Sequence, residues 1–383
     1  MNSSTLKSRL DLVIETAIAS QRLVGAVVLV AKQGELIYHH AAGLADREAG
    51  RPMTENTLFR LASVSKPIVS TVAMILVSQG KLALDDNIQT WLPEFSPSLA
   101  GGQPAQITVR NLLSHTAGLS YRFFEPDEQG PYALAGVSDG MDNSGISLEE
   151  NLRRLAAVPL LYAPGTSWGY SLAVDVLGAM LEQVCQQPLG DVVKNLLTGP
   201  LDMNDTAFYT ANPARLATPY VSDSPVPHRL QEGEKVAAFE DTVGIAYSPL
   251  RALDAKAFPS AGAGMISGAH DVMKMLEMLR QGGYPLLTPV QVDEMGRDQT
   301  GGLELPDMPG TGFGLGFSVL RDPQAAASPE SSGTWRWGGA YGHSWFVDRA
   351  AGLSVVAFTN TLYEGMSGAF VNELRDAVYG VKS

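Results

Sequence analysis

The four residues Ser63-Val64-Ser65-Lys66 contain a serine and a lysine three positions apart. On a helix, residues with this spacing lie on one face, with about 5–6 Å between their Cβ atoms. A serine at a helix start has free backbone N–H groups nearby, and such groups can stabilise an oxyanion. A lysine one turn later can take the serine proton or hold the charge that activates another base. The pattern therefore suggests a nucleophile at position 63, but it also fits an ordinary helix start with a surface lysine.

A second candidate is Tyr170, which follows a Pro164-Gly165 pair. The positive charge of a nearby lysine can favour the ionised form of a tyrosine, which then acts as a general base. The same residue also fits a core tyrosine whose hydroxyl is satisfied by a hydrogen bond. This stretch alone leaves both interpretations open.

Residues 335–343, with the sequence WRWGGAYGH, combine aromatic side chains with adjacent glycines. Glycines in a strand remove side chains where a ligand or another backbone approaches closely. A twisted sheet edge with aromatic packing is the alternative interpretation. The pattern marks a candidate substrate-binding strand.

A competing nucleophile is Ser167, because residues 165–169 fit the G-x-S-x-G pattern of the nucleophile elbow in α/β-hydrolases. That fold needs an acid and a histidine further along the chain, for which Asp271 and His343 are available. The parallel β-α alternation that surrounds such an elbow is missing from the pattern. We therefore favour Ser63 as the nucleophile.

The six histidines form no motif with metal-ligand spacing. The one cysteine, Cys185, excludes an internal disulfide and any zinc site built from several cysteines. The sequence therefore predicts no metal and no cofactor.

Hydrophobic residues make up 45% of the 383 residues and charged residues 17%, which is typical of a chain with a large core. The net charge of −13 opposes nucleic-acid phosphates and anionic lipid, so we expect neither partner. No apolar stretch approaches the ~20 residues of a membrane span, and no secretory signal is visible. We expect a cytoplasmic protein with a small-molecule substrate, and the sequence does not determine its oligomeric state.

The predicted elements are strand-rich at both ends of the chain and helical in the middle. Residues 1–21 predict an amphipathic helix, 63–79 a buried helix and 313–320 a strand. Two long loops, 121–146 and 211–262, have the length of functional lids or walls. We predict one α/β domain from residues 1–84 and 265–383, with a mainly helical insertion over 85–264.

Four blocks, in this order and spacing, resemble the class C branch of the serine β-lactamase and penicillin-binding-protein superfamily. The chain is most similar to the family VIII carboxylesterases, which are esterases built on that fold. The blocks are residues 61–67 (LASVSKP), 112–119 (LLSHTAGL), 164–171 (PGTSWGYS) and 337–345 (WGGAYGHSW). The resemblance implies an α/β (α+β) fold in which helices flank a central antiparallel sheet.

The same resemblance implies roles for individual residues. Ser63 is the acylated nucleophile, Lys66 and Tyr170 form the proton-transfer pair, and the N–H groups of Ser63 and Ala340 form the oxyanion hole. Substrate contacts are expected from Tyr121, Phe123, Phe124, Trp337, Gly338, Gly339, Tyr341 and Trp345.

Two positions depart from the pattern of the related β-lactamases. Leu172 stands where they have an asparagine, and Trp337 stands where they have a lysine that holds the substrate carboxylate. Both changes replace polar contacts with apolar surface and favour neutral esters. We expect a serine hydrolase for neutral short-chain carboxylic esters. The alternatives are a peptidase or amidase on the same fold, for D-amino-acid peptides or a β-lactam ring, and a non-catalytic binding protein.

Overall fold

The computed structural model describes residues 3–381. Its strands are β1 (Gly25–Lys32), β2 (Glu35–Asp46), β3 (Arg51–Pro52), β4 (Phe59–Arg60), β5 (Tyr220–Val221), β6 (His228–Arg229), β7 (Lys235–Val236), β8 (Ile245–Ala246), β9 (Ile266–Ser267), β10 (Thr311–Phe313), β11 (Ser318–Leu320), β12 (Trp335–Gly339), β13 (His343–Asp348) and β14 (Leu353–Thr359). Its α-helices are α1 (Ser3–Ala19), α2 (Ser65–Ser78), α3 (Val109–Leu113), α4 (Pro131–Leu134), α5 (Leu148–Ala156), α6 (Ala173–Cys185), α7 (Leu189–Val193), α8 (Ala269–Arg280), α9 (Pro289–Met295), α10 (Glu364–Ser367) and α11 (Ala369–Tyr379). The predicted N-terminal helix is α1, and Met1 and Asn2 of that prediction lie outside the described residues.

An eight-stranded antiparallel sheet organises the fold, with the order β10-β11-β12-β13-β14-β1-β2-β3. Strand β1 lies inside the sheet, and its apolar residues alternate between two cores. Val27 and Leu29 belong to the large core that includes α2 and α8, whereas Val28 and Val30 belong to a second core with α1 and α11. Helices therefore cover both faces of the sheet, which explains the continuous apolar run of β1. The predicted fold class is confirmed.

Helix α2 is apolar on nearly every face, and all its residues from Ser65 to Leu76 are buried. Such a helix belongs in a core and not on a surface. Its first turn, which contains Lys66, is therefore held inside the protein.

The predicted strand over 313–320 is wrong, because this segment forms the hairpin of β10 and β11. The turn between them is closed by a hydrogen bond of 2.8 Å from the Gly314 N–H to the Phe317 carbonyl. Gly316 has a φ of 105°, a left-handed conformation that glycine adopts without steric cost. The glycines at 314 and 316 end the strand that the apolar residues alone would continue.

The middle of the chain packs against the same core as the sheet. Ile68 of α2 and Leu177 of α6 belong to one hydrophobic cluster. Within the long predicted loops lie the short elements α4 and β5 to β8. The division into domains at residues 84 and 265 stays a prediction. Among residues 3–381, no helix is both long enough and apolar enough to cross a membrane.

Candidate active site

Ser63 lies in a short 3-10 helix, Ala62–Val64, directly before α2. The sequence placed it in the first turn of the helix, but α2 itself begins at Ser65. Ala62 has a φ of 46°, which an alanine rarely adopts and which costs conformational energy. This turn buries Ala62 and Val64 and leaves Ser63 partly exposed between them. The local backbone thus presents the serine hydroxyl.

The side chain of Lys66 is completely buried beside Ser63. Its Nζ lies 3.3 Å from the Ser63 Oγ and donates a hydrogen bond of 2.9 Å to the Gly262 carbonyl. It also lies 4.5 Å from the centre of the Tyr170 ring and 5.3 Å from that of Tyr121, where ring faces attract a cation. A buried lysine needs such partners because its desolvation is costly.

The buried carboxylate of Asp175 lies close to Gly262. A Cβ atom at Gly262 would be 2.6 Å from the Asp175 Oδ2 and 3.4 Å from the Lys66 Nζ, so both groups approach one glycine. Ser260 donates a hydrogen bond of 2.7 Å to the other oxygen of Asp175. Burial raises the pKa of Asp175, while the Ser260 hydrogen bond and the Lys66 charge lower it. The sequence analysis missed Asp175, because nothing in its spacing connects it with Lys66.

Tyr170 completes a group of three around one oxygen atom. Its hydroxyl donates a hydrogen bond of 2.6 Å to the Ser63 Oγ. Both candidate bases, Lys66 and Tyr170, therefore reach the same hydroxyl, although Tyr170 lies 107 residues after Ser63 in the chain. This arrangement can remove the serine proton during attack on a carbonyl and return a proton to a leaving group.

The turn that contains Ala340 lies against the segment that carries Ser63. A Cβ atom at Gly339 would be 2.2 Å from the Leu61 carbonyl oxygen, so only glycine allows the two backbones to meet. His343, at the start of β13, donates from Nε2 to the Arg60 carbonyl at 2.8 Å. These contacts fix the β12–β13 turn beside the nucleophile, where backbone N–H groups can face a developing oxyanion.

The residues of the competing elbow do not meet. Ser167 lies in an irregular loop. Asp271 accepts hydrogen bonds from the Asp205 N–H and the Thr206 hydroxyl, and His343 is bonded to Arg60. Burial also lowers the pKa of His343 to about 4. Asp271 and His343 are therefore engaged elsewhere and do not serve Ser167 as acid and base.

All the site residues described above lie within the part of the chain that matches one protein-family model. Residues 10–379 match the family model described as Beta-lactamase. The chain belongs to the beta-lactamase family. That membership agrees with the resemblance seen in the sequence.

Two relatives of this beta-lactamase-family chain are particularly similar. Esterase EstB of Burkholderia gladioli is 49% identical over 381 residues, which cover 99% of this chain and 96% of the esterase. The solved structure of EstCE1, described as a hydrolase with promiscuous acyltransferase activity, is 47% identical with a TM-score of 0.97, covering 99% of both chains. The D-amino acid amidase of Ochrobactrum anthropi shares the fold, with a TM-score of 0.72 at 22% identity and coverage of 98% of this chain and 99% of the amidase. The predicted family is confirmed.

Trp337 of this beta-lactamase-family chain lies beside the catalytic candidates. Its ring is half-buried, 5.2 Å from the Tyr170 ring and 5.1 Å from Phe313. The sequence grouped Tyr341 and Trp345 with it, but the side chains of both residues are buried. Trp345 is 1% exposed and packs on Phe317, and Tyr341 packs on Tyr247.

Gly338 and Gly339 also differ from the expected picture. The space beside Gly338 is filled by the His343 carbonyl and the Met366 side chain, and the space beside Gly339 by Leu61. The sequence analysis expected either a ligand or another part of the protein close to these glycines. In the structure, protein atoms approach both of them.

A row of aromatic rings leads from Tyr170 to the surface. The centroid distances are 5.2 Å from Tyr170 to Tyr121, 4.5 Å to Phe123, 4.6 Å to Phe124 and 5.3 Å to Phe239. Phe239, from the second long loop, is 47% exposed at the end of the row. The sequence analysis named Tyr121, Phe123 and Phe124 as expected substrate contacts but missed Phe239, which lies more than 100 residues further along the chain.

Proposed function

We propose that this protein is a carboxylesterase that hydrolyses neutral, short-chain esters through an acyl-enzyme on Ser63. The observation that carries the proposal is the 2.6 Å contact between the Tyr170 hydroxyl and the Ser63 Oγ, with Lys66 at 3.3 Å from the same atom. The likeness to esterase EstB over nearly the whole chain supports the reaction class.

In the first step, the Ser63 Oγ attacks the ester carbonyl carbon while its proton passes to the pair formed by Tyr170 and Lys66. The carbonyl oxygen becomes an oxyanion that faces the N–H groups of Ser63 and Ala340. One such donor contributes about 10²–10³ in rate. The tetrahedral intermediate collapses, the C–O bond to the alcohol breaks, and the alcohol leaves with a proton from Tyr170.

In the second step, water attacks the acyl-enzyme by the same route. The pair takes one proton from the water, the oxyanion forms again at the same N–H groups, and Ser63 leaves with a proton. The acid product is released and the starting protonation state is restored.

Neutral substrates fit the surroundings of the pair better than anions. Trp337 presents an aromatic ring beside Tyr170 where a cation would be needed to hold a carboxylate. Leu172 is fully buried and offers no polar group. An anionic substrate would lose hydration here without gaining a partner, which is costly.

Transfer of the acyl group to an alcohol is a second candidate activity. The rings of Tyr121 and Trp337 pack on Tyr170, which contacts Ser63, and Phe313 packs on Trp337. This aromatic surface favours an organic alcohol over water. EstCE1, described as having promiscuous acyltransferase activity, is 47% identical. The amidase alternative rests on a shared fold alone.

The test is a panel of p-nitrophenyl acetate, p-nitrophenyl butyrate, nitrocefin and D-alanyl p-nitroanilide with the wild-type enzyme. We expect kcat/KM for the two esters to exceed that for nitrocefin by at least ~100-fold, about 2.7 kcal/mol of transition-state discrimination. Comparable efficiency for nitrocefin or the anilide would contradict the esterase assignment. Added 1-butanol should divert part of the acyl group to the butyl ester if transfer occurs.

A further inference from the structure

His115 holds the backbone on both sides of Tyr170. Its carbonyl oxygen accepts a hydrogen bond of 2.9 Å from the Gly169 N–H, and its Nδ1 accepts one of 3.2 Å from the Ser171 N–H. The chain around Tyr170 has no regular secondary structure of its own. A residue 55 positions earlier thus supplies the partners that a helix or strand would otherwise provide.

The backbone of His115 is shaped for this contact. It has a φ of 56°, in the left-handed region that few residues other than glycine and asparagine adopt easily. It follows Ser114, the buried residue that caps the C-terminus of the short helix α3. The left-handed conformation lets the carbonyl and the side chain of one residue face the same loop.

The imidazole ring also supports the Tyr170 ring. Their centroids are 4.8 Å apart, and Phe313 and Trp168 pack on the imidazole at 5.2 and 6.4 Å. The ring is fully buried. The phenol of Tyr170 is therefore backed by a ring that cannot move aside.

The imidazole is neutral. Burial, and then the positive charge of Lys66, lower the pKa of His115 well below its ordinary value. Because Nδ1 accepts a backbone N–H, the ring proton is on Nε2. Nε2 is buried and has no hydrogen-bond partner among residues 3–381. An unpaired buried N–H is destabilising, so packing alone does not explain a histidine here.

We propose that His115 is a positioning residue that keeps the Tyr170 hydroxyl within reach of the Ser63 Oγ. The inference rests on the proposed function, in which Tyr170 transfers protons. A misplacement of about 1 Å at a reacting group costs on the order of 100-fold in rate. Loss of the acceptor at Nδ1 frees the Ser171 N–H and lets the tyrosine drift from its 2.6 Å contact.

The test compares two substitutions that differ in the acceptor. His115→Asn keeps an acceptor oxygen close to the position of Nδ1 and tolerates the left-handed backbone. His115→Leu removes the acceptor at similar size. With p-nitrophenyl butyrate, we expect His115→Leu to lower kcat by about 30- to 100-fold with KM changed less than threefold, and His115→Asn to retain kcat within about fivefold. Equal losses in both variants would overturn the proposal.

A double-mutant cycle separates this proposal from the proposed function. Tyr170→Phe alone should lower kcat strongly; if it does not, the proposed function itself fails. In the Tyr170→Phe background, His115→Leu should add less than a threefold loss, because the group it positions is already gone. A full multiplicative loss would refute the positioning role while leaving the esterase assignment intact. If His115→Leu does not fold, as judged by thermal unfolding, His115→Ala takes its place in the same cycle.

Discussion

The ammonium group of Lys66 donates a hydrogen bond of 2.9 Å to the carbonyl oxygen of Gly262, a residue 196 positions away. This contact joins the first turn of α2 to the end of the second long loop. It also brings Lys66 close to the buried Asp175, because both approach the same glycine. The position of the lysine therefore depends on residues 254–262, which have no regular secondary structure.

Gly262→Ala should disturb this contact. The added Cβ would lie 2.6 Å from the Asp175 Oδ2, a distance so short that the Gly262 backbone or the Asp175 side chain must shift. We expect kcat for p-nitrophenyl butyrate to fall at least ~10-fold, since Lys66 loses its carbonyl partner. Gly190→Ala in α7 is the control, because its nearest neighbour would be 3.9 Å away. Similar kinetics for both variants would contradict this account.

Ser63→Ala should lower esterase activity by at least ~10⁴-fold, as loss of an activated serine does. Ser167→Ala is the matched control and should keep most of the activity, because Asp271 and His343, the partners proposed for Ser167, are hydrogen-bonded to other groups. A fluorophosphonate probe followed by peptide mapping identifies the labelled serine. Label on the peptide that contains Ser167, with none on Ser63, would reverse the assignment.

Trp337→Lys should narrow the preference for neutral esters. The new ammonium group would lie near Tyr170 and offer a partner to a substrate carboxylate. We expect the ratio of kcat/KM for p-nitrophenyl butyrate over nitrocefin to fall by at least ~10-fold, with Trp337→Phe retaining the wild-type ratio. An unchanged ratio in the lysine variant would mean that Trp337 does not set the preference.

Phe239→Ala should affect long acyl chains more than short ones. The ring ends the aromatic row that begins at Tyr170, so only an extended chain reaches it. We expect kcat/KM for p-nitrophenyl octanoate to fall about fivefold relative to acetate, consistent with about 1 kcal/mol of lost apolar contact. Tyr209→Ala removes an aromatic ring of similar exposure, 49%, and should not change the ratio. If Tyr209→Ala lowered the ratio as much as Phe239→Ala, the loss of any exposed aromatic ring would explain the effect, and the position of Phe239 would not.

Asp139 gives stability a dependence on pH. Its carboxylate accepts hydrogen bonds from the backbone N–H groups of Arg122 and Phe123. These two bonds fix the backbone of the segment that carries Phe123 and Phe124 of the aromatic row. Burial raises the pKa of Asp139 to about 7, although these two hydrogen bonds lower it.

Because the folded-state pKa exceeds the unfolded value, the stability contributed by Asp139 is present at low pH. It is lost as the pH rises toward 7. Urea unfolding at pH 5 and pH 8 should show the wild type losing on the order of 2 kcal/mol relative to Asp139→Asn. A difference between the two proteins that does not change with pH would contradict the assignment.

The parts of the site that are local in sequence could be predicted, and the parts that join distant segments could not. Ser63 and Lys66 are three residues apart at a helix start, and this spacing predicts that their side chains lie close together. Asp175, His115 and Phe239 reach the site through contacts between distant segments of the chain. The spacing of residues in the sequence does not indicate such contacts. Trp345 was grouped with Trp337 because both lie in one aromatic stretch of the sequence, but only packing decides which of the two rings is fully buried.

The same distinction applies to the sheet. The apolar, β-branched composition of β1 and β14 predicts strands, and their burial on both faces follows from continuous apolar runs. The order of the strands does not follow from the pattern of either one. Nothing in β1 alone indicates that its neighbour is β14.

That pairing also has a consequence for how the chain is made. Ala26 of β1 lies opposite Thr359 of β14, so one of the innermost ladders of the sheet joins segments that lie 333 positions apart in the chain. Until residue 359 has been added, β1 has an open edge of unpaired N–H and C=O groups along an apolar strand. Long-range pairing of this kind folds slowly, and incomplete chains are prone to aggregate through such edges. A nascent chain of this protein therefore exposes this edge of β1 until β14 has been synthesised.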